Sequence, residues 1–283
     1  MIEVNGVTKR YGKAVVVDGV SLQLQSGGIT AIVGSNGAGK STLLSMIARL
    51  LGSDVGTISV GGLDVTDTDS RELARELAIL RQSNDIPSRI TVHDLVSFGR
   101  FPHNGGRVTA KDEEIIDQAI EWMDLHDLRD RFLDEMSGGQ RQRAFVAMVL
   151  AQDTNYLLLD EPLNNLDVAH SQSMLMTLRR AADELGKTVV IVVHDINYAS
   201  CWADQIVAMK DGRIVEVGTP HQIVRADLLQ EVFNVNMEIG ECAGCPIAYF
   251  YLPAMGAANK ARAVVTAGSR VGALSAAQVR RSA

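Results

Sequence analysis

One octapeptide limits what this chain can become. Gly34-Ser35-Asn36-Gly37-Ala38-Gly39-Lys40-Ser41 matches the spacing G-x-x-x-x-G-K-[ST]. Ahead of it, Ile29-Thr30-Ala31-Ile32-Val33 is a short apolar run that reads as a buried parallel strand. Behind it, Leu43, Leu44, Ile47, Ala48 and Leu51 recur at helical spacing and stop at Gly52. Strand, glycine loop and helix in that order make a phosphate cradle. The glycines let backbone N–H groups close around phosphate oxygens, and the helix N-terminus adds a favourable dipole. Lys40 is predicted to reach the β- and γ-phosphates of a nucleotide, and the Ser41 hydroxyl to bind Mg²⁺.

Composition is consistent with a cradle set in a large fold. The chain has 283 residues, of which 46% are hydrophobic and 22% charged, enough for one large α/β domain, or a domain with a subdomain. Those proportions exclude wholesale disorder, collagen and coiled coil. Apolar runs such as 189–193 and 157–159 fall far short of the roughly 18 residues that span a bilayer. The first residues, Met1-Ile2-Glu3-Val4-Asn5, lack the basic and apolar regions of a signal peptide. A soluble, cytoplasmic chain is predicted. Three cysteines make no disulfide framework and fit a reducing compartment. Cys242 and Cys245 form a CxxC with no second Cys or His pair nearby in sequence, and read as a turn between strands. The formal charge is −7, and the stretch 253–283 contributes five basic residues and no acid. Removing those five leaves −12 on the rest, which argues against nucleic acid as the main partner. The basic tail reads as a disordered extension, with weak attraction to an anionic membrane surface as the sharper expectation.

Along the chain, Ile2–Val7 and 15–24 read as strands around a turn at 9–13. From about Asp85 to Ala151 the pattern becomes helical, with Ile116, Ala119, Ile120 and Met123 on one face of a helix over 113–123 and another helix over 141–150. Strand-like runs return at 156–159 and 188–193, separated by a helix over about 169–185, and 206–209 with 213–217 reads as a hairpin. An α/β core is interrupted by a helical insert and then resumed.

Three further groups carry chemistry. Leu157-Leu158-Leu159-Asp160-Glu161 is an apolar strand ending in two acids. Beside the cradle, Asp160 could hold Mg²⁺ and Glu161 could orient and deprotonate a water. His194 follows the strand 188–193 and would converge on the same sheet edge, as a polarising contact to the γ-phosphate and the water. Ser137-Gly138-Gly139-Gln140 opens a helix with Ser137 as N-cap, a second phosphate-facing surface 100 residues after Lys40.

The ordered set of Gly34 to Thr42, Gln82, Ser137-Gly138-Gly139-Gln140, Asp160-Glu161, Asn164-Asn165-Leu166-Asp167 and His194 resembles the nucleotide-binding subunit of an ABC transporter, over about 1–251. The resemblance implies a P-loop NTPase of ABC ATPase type. Its parallel, RecA-like core and antiparallel β subdomain would occupy 1–84 and 152–251, with a helical subdomain over 85–151 and a tail over 252–283. It implies ATP and Mg²⁺ as ligands, and a head-to-tail homodimer in which Ser137-Gly138-Gly139-Gln140 of one copy caps ATP held by Gly34, Ser35, Asn36, Gly37, Ala38, Gly39, Lys40, Ser41 and Thr42 of the other. Tyr11 would stack on adenine, Asp167 would cross the dimer axis, and Gln82 would link the Mg²⁺ site to a membrane partner. Met136 departs from the family's usual Leu while conserving volume.

A finer resemblance lies in Val96-Ser97-Phe98-Gly99-Arg100-Phe101-Pro102-His103, Gln152-Asp153-Thr154 and the Asn164 segment, which are similar to importers of ferric siderophores, with haem and cobalamin importers as relatives. It implies a peripheral subunit on the cytoplasmic face of the membrane, separate permease subunits and, indirectly, a substrate-binding protein. A soluble ABC ATPase of cluster assembly, repair or translation is the alternative of another class. It fits less well, because one phosphate loop and a modest insert lack those proteins' long coiled coil or fused second domain.

Overall fold

The computed structural model describes residues 1–82 and 89–250. The expected 84/85 boundary and the tail 252–283 lie outside the described residues. The first half runs β1 (Ile2–Tyr11), β2 (Ala14–Leu24), β3 (Gly28–Val33), α1 (Lys40–Ile47), β4 (Val55–Val60), β5 (Leu63–Asp64), α2 (Ser70–Glu76) and β6 (Leu77–Leu80). The helical insert follows as α3 (Val92–Phe98), α4 (Phe101–Asn104), α5 (Ala110–Trp122) and α6 (Gly138–Ala151). The core then resumes with β7 (Tyr156–Asp160), α7 (Val168–Leu185), β8 (Thr188–Val192), α8 (Ile196–Trp202), β9 (Gln205–Lys210) and β10 (Arg213–Gly218). The described chain closes with α9 (Pro220–Ile223), α10 (Ala226–Phe233), β11 (Glu238–Cys242) and β12 (Cys245–Tyr249).

The central sheet has the order β10-β9-β3-β8-β7-β6, parallel except for β10, and an antiparallel sheet β2-β1-β4-β5 stands beside it. The apolar runs do not alternate because the sheet is covered on both sides. Ala31, Val33, Leu157, Leu159, Val189 and Ile191 enter one core with α6 and α7. Ile32, Leu158, Val190 and Val192 enter the other, with α1 and the antiparallel sheet. The predicted α/β class and interrupted core are therefore found, with two local differences.

The first strand runs on to Tyr11, so the turn is only Gly12-Lys13, because Lys9, Arg10 and Tyr11 keep pairing with β2. The insert helices start earlier than periodicity predicted. Thr109 and Ser137 each form a capping box, with Asp112 and Gln140, and each box starts its helix three residues earlier. The segment 96–103 is tied into the insert through its Arg and its His. Arg100 is buried, donating to Asp112 Oδ1 at 2.9 Å and to the Ala151 carbonyl at 2.8 Å, and His103 Nε2 lies 2.8 Å from the Gln152 carbonyl oxygen. Gly99 is required by close approach: a Cβ there would lie 2.2 Å from the Met148 carbonyl oxygen. Phe98 and Phe101 are what this segment exposes.

Burial opposes ionisation of Asp112, but the Thr109 N–H, the Arg100 guanidinium, the Thr109 hydroxyl and Asn104 outweigh it and hold the carboxyl well below the usual carboxylate range. A depressed folded-state pKa stabilises the fold above the ordinary value of about 4, and that contribution fades as pH falls below it. Asp112→Asn leaves Arg100 buried without its counter-ion and should cost about 3 kcal/mol in urea unfolding at pH 7. The difference from wild type should shrink at pH 3.

Candidate functional site

The site sits where β3, β7 and β8 end together. Ile32 pairs with Val192, and Asp160 pairs with the same Val192, so the three strands deliver Gly34, Asp160 and His194 to one edge. Gly34 has φ +151, and a Cβ there would stand 2.2 Å from the Met209 carbonyl oxygen, so the loop can leave β3 only through glycine. At its other end, α1 starts at Lys40 with no side-chain cap and no acid in its first turn. Its first N–H groups are therefore left for an anionic ligand. Lys40 is buried, and its Nζ donates to the Gly34 carbonyl at 2.8 Å and the Ser35 carbonyl at 3.0 Å. Burial lowers its pKa, with Glu161 and Asp160 acting in the opposite sense.

Strand alternation separates the two acids. Asp160 continues the face of Tyr156 and Leu158, toward α1, and accepts from Ser41 Oγ at 2.9 Å. Burial raises the Asp160 pKa; the Ser41 hydrogen bond opposes this, and the Glu161 charge adds to it. Glu161 leaves the strand in the left-handed region, φ +52, with its N–H on the Val192 carbonyl at 3.2 Å. For a glutamate that conformation costs about 1–3 kcal/mol. Its buried carboxylate is held at three points: His194 Nε2 lies 2.6 Å from Oε1, and Gln82 Nε2 and Asn164 Nδ2 donate to Oε2 at 2.9 Å and 2.6 Å. A cavity of about 200 Å³ opens beside Glu161, Asn164, His194 and Tyr198.

Lys40, Ser41, Gln82, Asp160, Glu161 and His194 thus form one connected cluster. Thr42 lies in the first turn of α1, and Tyr11 stands exposed at the end of β1. Gly138 and Gly139 instead approach Asn165 and Leu166, which groups the Ser137–Gln140 helix start with the loop after Glu161. Asp167 caps α7 through the His170 N–H at 2.8 Å, with His170 Nδ1 2.7 Å from the same oxygen. Asn164 was missed as a site residue, although its three-residue spacing from Glu161 is the local signal for it. Met136 is half-buried and packs against the core.

Residues 17–164 match the family described as ABC transporter. The chain belongs to that family. It is 51% identical over 239 residues to the petrobactin import ATP-binding protein YclP of Bacillus subtilis (strain 168), covering 84% of this chain and 95% of that one. It is 38% identical over 245 residues to the ferric enterobactin transport ATP-binding protein FepC of Escherichia coli (strain K12), covering 85% and 90%. Two solved structures are similar. One is an ATP-binding cassette crystallised as a dimer with ADP and phosphate, at TM-score 0.71 and 27% identity, covering 77% and 98%. The other is a metal-chelate type ABC transporter in an inward-facing conformation, at TM-score 0.74 and 25% identity, covering 88% and 95%. The chain is accordingly an ATP-binding ABC ATPase. No helix among its described residues is long and apolar enough to cross a membrane.

Asn164→Ala removes one of three holds on Glu161. The expected outcome is a kcat for ATP hydrolysis lowered about tenfold with KM little changed, as for a contact that matters in the transition state. Steady-state phosphate release measures both constants.

Proposed function

We propose that the chain is the ATP-hydrolysing subunit of an importer of ferric siderophores. In this reading it acts as a head-to-tail homodimer on the cytoplasmic face of the membrane, beneath permease subunits that receive cargo from a substrate-binding protein. The triply held Glu161 carboxylate, one residue from the Asp160–Ser41 pair, is the observation that carries the chemistry. The activities of the relatives, petrobactin import and ferric enterobactin transport, support the cargo.

Each residue has a part. Tyr11 stacks on adenine, and Gly34 to Thr42 wrap the phosphates with Lys40 on the β- and γ-oxygens. Ser41 and Asp160 offer oxygen donors, with Gln82 beside them. Such a set suits Mg²⁺, which takes one or two protein oxygens and completes its shell with water and phosphate. The described residues contain no cluster of three or more His, Cys, Asp or Glu that would build an all-protein cage. Bound there, Mg²⁺ supplies charge neutralisation at the phosphate oxygens. Glu161 accepts the proton of the attacking water, while Gln82 and His194 fix the carboxylate and the γ-phosphate side. Ser137, Gly138, Gly139 and Gln140 of the second copy cap the nucleotide, with Asp167 at the dimer axis. Phe98 and Phe101, exposed on the insert, form the permease-facing surface together with the Gln82 edge.

Glu161→Gln should retain ATP binding, lower turnover by about 10²-fold or more, and accumulate an ATP-bound dimer on gel filtration. Unchanged turnover would remove Glu161 as the base. For the cargo, ATP hydrolysis by the complex reconstituted with permease and binding protein should rise with ferric siderophores. A response to haem or cobalamin alone would reassign it.

A further inference from the structure

All three cysteines of the chain lie on one patch. Cys242 stands opposite Cys245 across the β11–β12 hairpin, whose turn is Ala243-Gly244, both at positive φ. The third arrives by docking. Asn197, Ser200 and Cys201 of α8 stand at i, i+3 and i+4 and share one helix face. Asn197 Nδ2 donates to the Ala248 carbonyl at 3.1 Å, and the Ala248 N–H returns to Asn197 Oδ1 at 2.8 Å. The Ser200 hydroxyl donates to the Pro246 carbonyl. Each step along that helix face meets a step back along β12, so Cys201, next to Ser200, falls opposite Cys245, next to Pro246.

We infer that Cys201 and Cys245 form a reversible disulfide site, which staples the β11–β12 hairpin to α8, the helix that begins two residues after His194. The oxidant is a low-molecular-weight disulfide. The Cys245 thiolate attacks one of its sulfurs and expels one small thiolate, leaving a mixed disulfide. Cys201 then gives up its proton, and its sulfur attacks the Cys245 sulfur and expels the second small thiolate. The protein loses two electrons and two protons, and the small disulfide becomes two thiols; excess small thiol runs the exchange backwards. Burial, with Cys245 nearby, pushes the Cys201 thiol up to about 11, which makes it a poor first nucleophile and suits it to resolving the mixed disulfide. Contact within one folded chain supplies the effective concentration for the second. Cys242 is the competitor, since a facing pair in an antiparallel ladder lies within disulfide reach. Cys201 is the partner because the docking of α8 on β12 holds it against the strand that carries Cys245. A disulfide of this kind, made and broken by exchange, fits a chain whose thiols are otherwise kept reduced.

The staple bears on the ATPase site because α8 is capped by Asp195 through the Asn197 N–H at 2.8 Å, next to the His194 that contacts Glu161. The test treats the full chain with oxidised glutathione and follows intact mass, non-reducing peptide maps and ATP turnover. Expected are the loss of two hydrogens without retained glutathione, a Cys201 peptide joined to the Cys245 peptide, and a several-fold fall in turnover that dithiothreitol reverses. Cys242→Ser should keep all of these, whereas Cys201→Ala and Cys245→Ser should each lose the cross-link and leave turnover insensitive to oxidant. A Cys242–Cys245 cross-link, a persistent mixed disulfide, or undiminished turnover in the cross-linked protein would overturn the inference. The reduced protein is the control: no hydrolysis there would count against the ATPase assignment instead.

Discussion

Everything at the site depends on the parallel sheet being buried on both faces. β3, β7 and β8 can carry no polar side chain along most of their length, because α6 and α7 cover one side and α1 with the antiparallel sheet covers the other. Charged side chains appear only where the strands run out. Since the register ranks Ile32, Val192 and Asp160 together, the strands run out at the same level, and their next residues meet. The phosphate loop, the two acids and the histidine are thus neighbours because of strand pairing, although about 160 residues separate Gly34 from His194.

This edge is built from elements that oppose stability. A buried lysine, a buried aspartate raised by desolvation and a glutamate in left-handed backbone each cost free energy. They persist because the two apolar cores over-determine the backbone around them. The effect is an amine and a carboxylate fixed in place before nucleotide arrives, with little left to reorganise during reaction. Asp160 and Glu161 are adjacent in sequence yet point to opposite sides of β7, one toward Ser41 and the other toward Gln82, Asn164 and His194. One strand ending thereby presents carboxylates to two sides of the site.

Legibility in the sequence followed the range of the interaction. The Gly34–Ser41 cradle, the strands that end in Asp160 and His194 and the Cys242–Cys245 turn rest on local spacing, and all were readable. Helix starts were placed too late because apolar periodicity does not register a capping box built from Thr109 and Asp112 or Ser137 and Gln140. Arg100 shows what local spacing does not carry: only the fold brings Asp112 and the Ala151 carbonyl around it. The meeting of Cys201 with Cys245 is of the same kind, since it depends on α8 docking against β12.

The exposed aromatics complete the physical picture. Phe98 is 53% exposed and Phe101 61%, on a segment whose Arg100 and His103 are turned inward and whose backbone is held by Arg71 and Arg75 through the Pro102 carbonyl. Burying each ring would contribute about 1.5–3 kcal/mol, so a partner seated there gains a few kcal/mol from two side chains. A change that moves a two-state equilibrium from 1:99 to 99:1 needs about 5.5 kcal/mol of differential affinity. Contact at the rings alone falls short of that. In the proposed importer the difference would come from nucleotide binding at the sheet edge, with the rings transmitting the movement that the phosphate site drives.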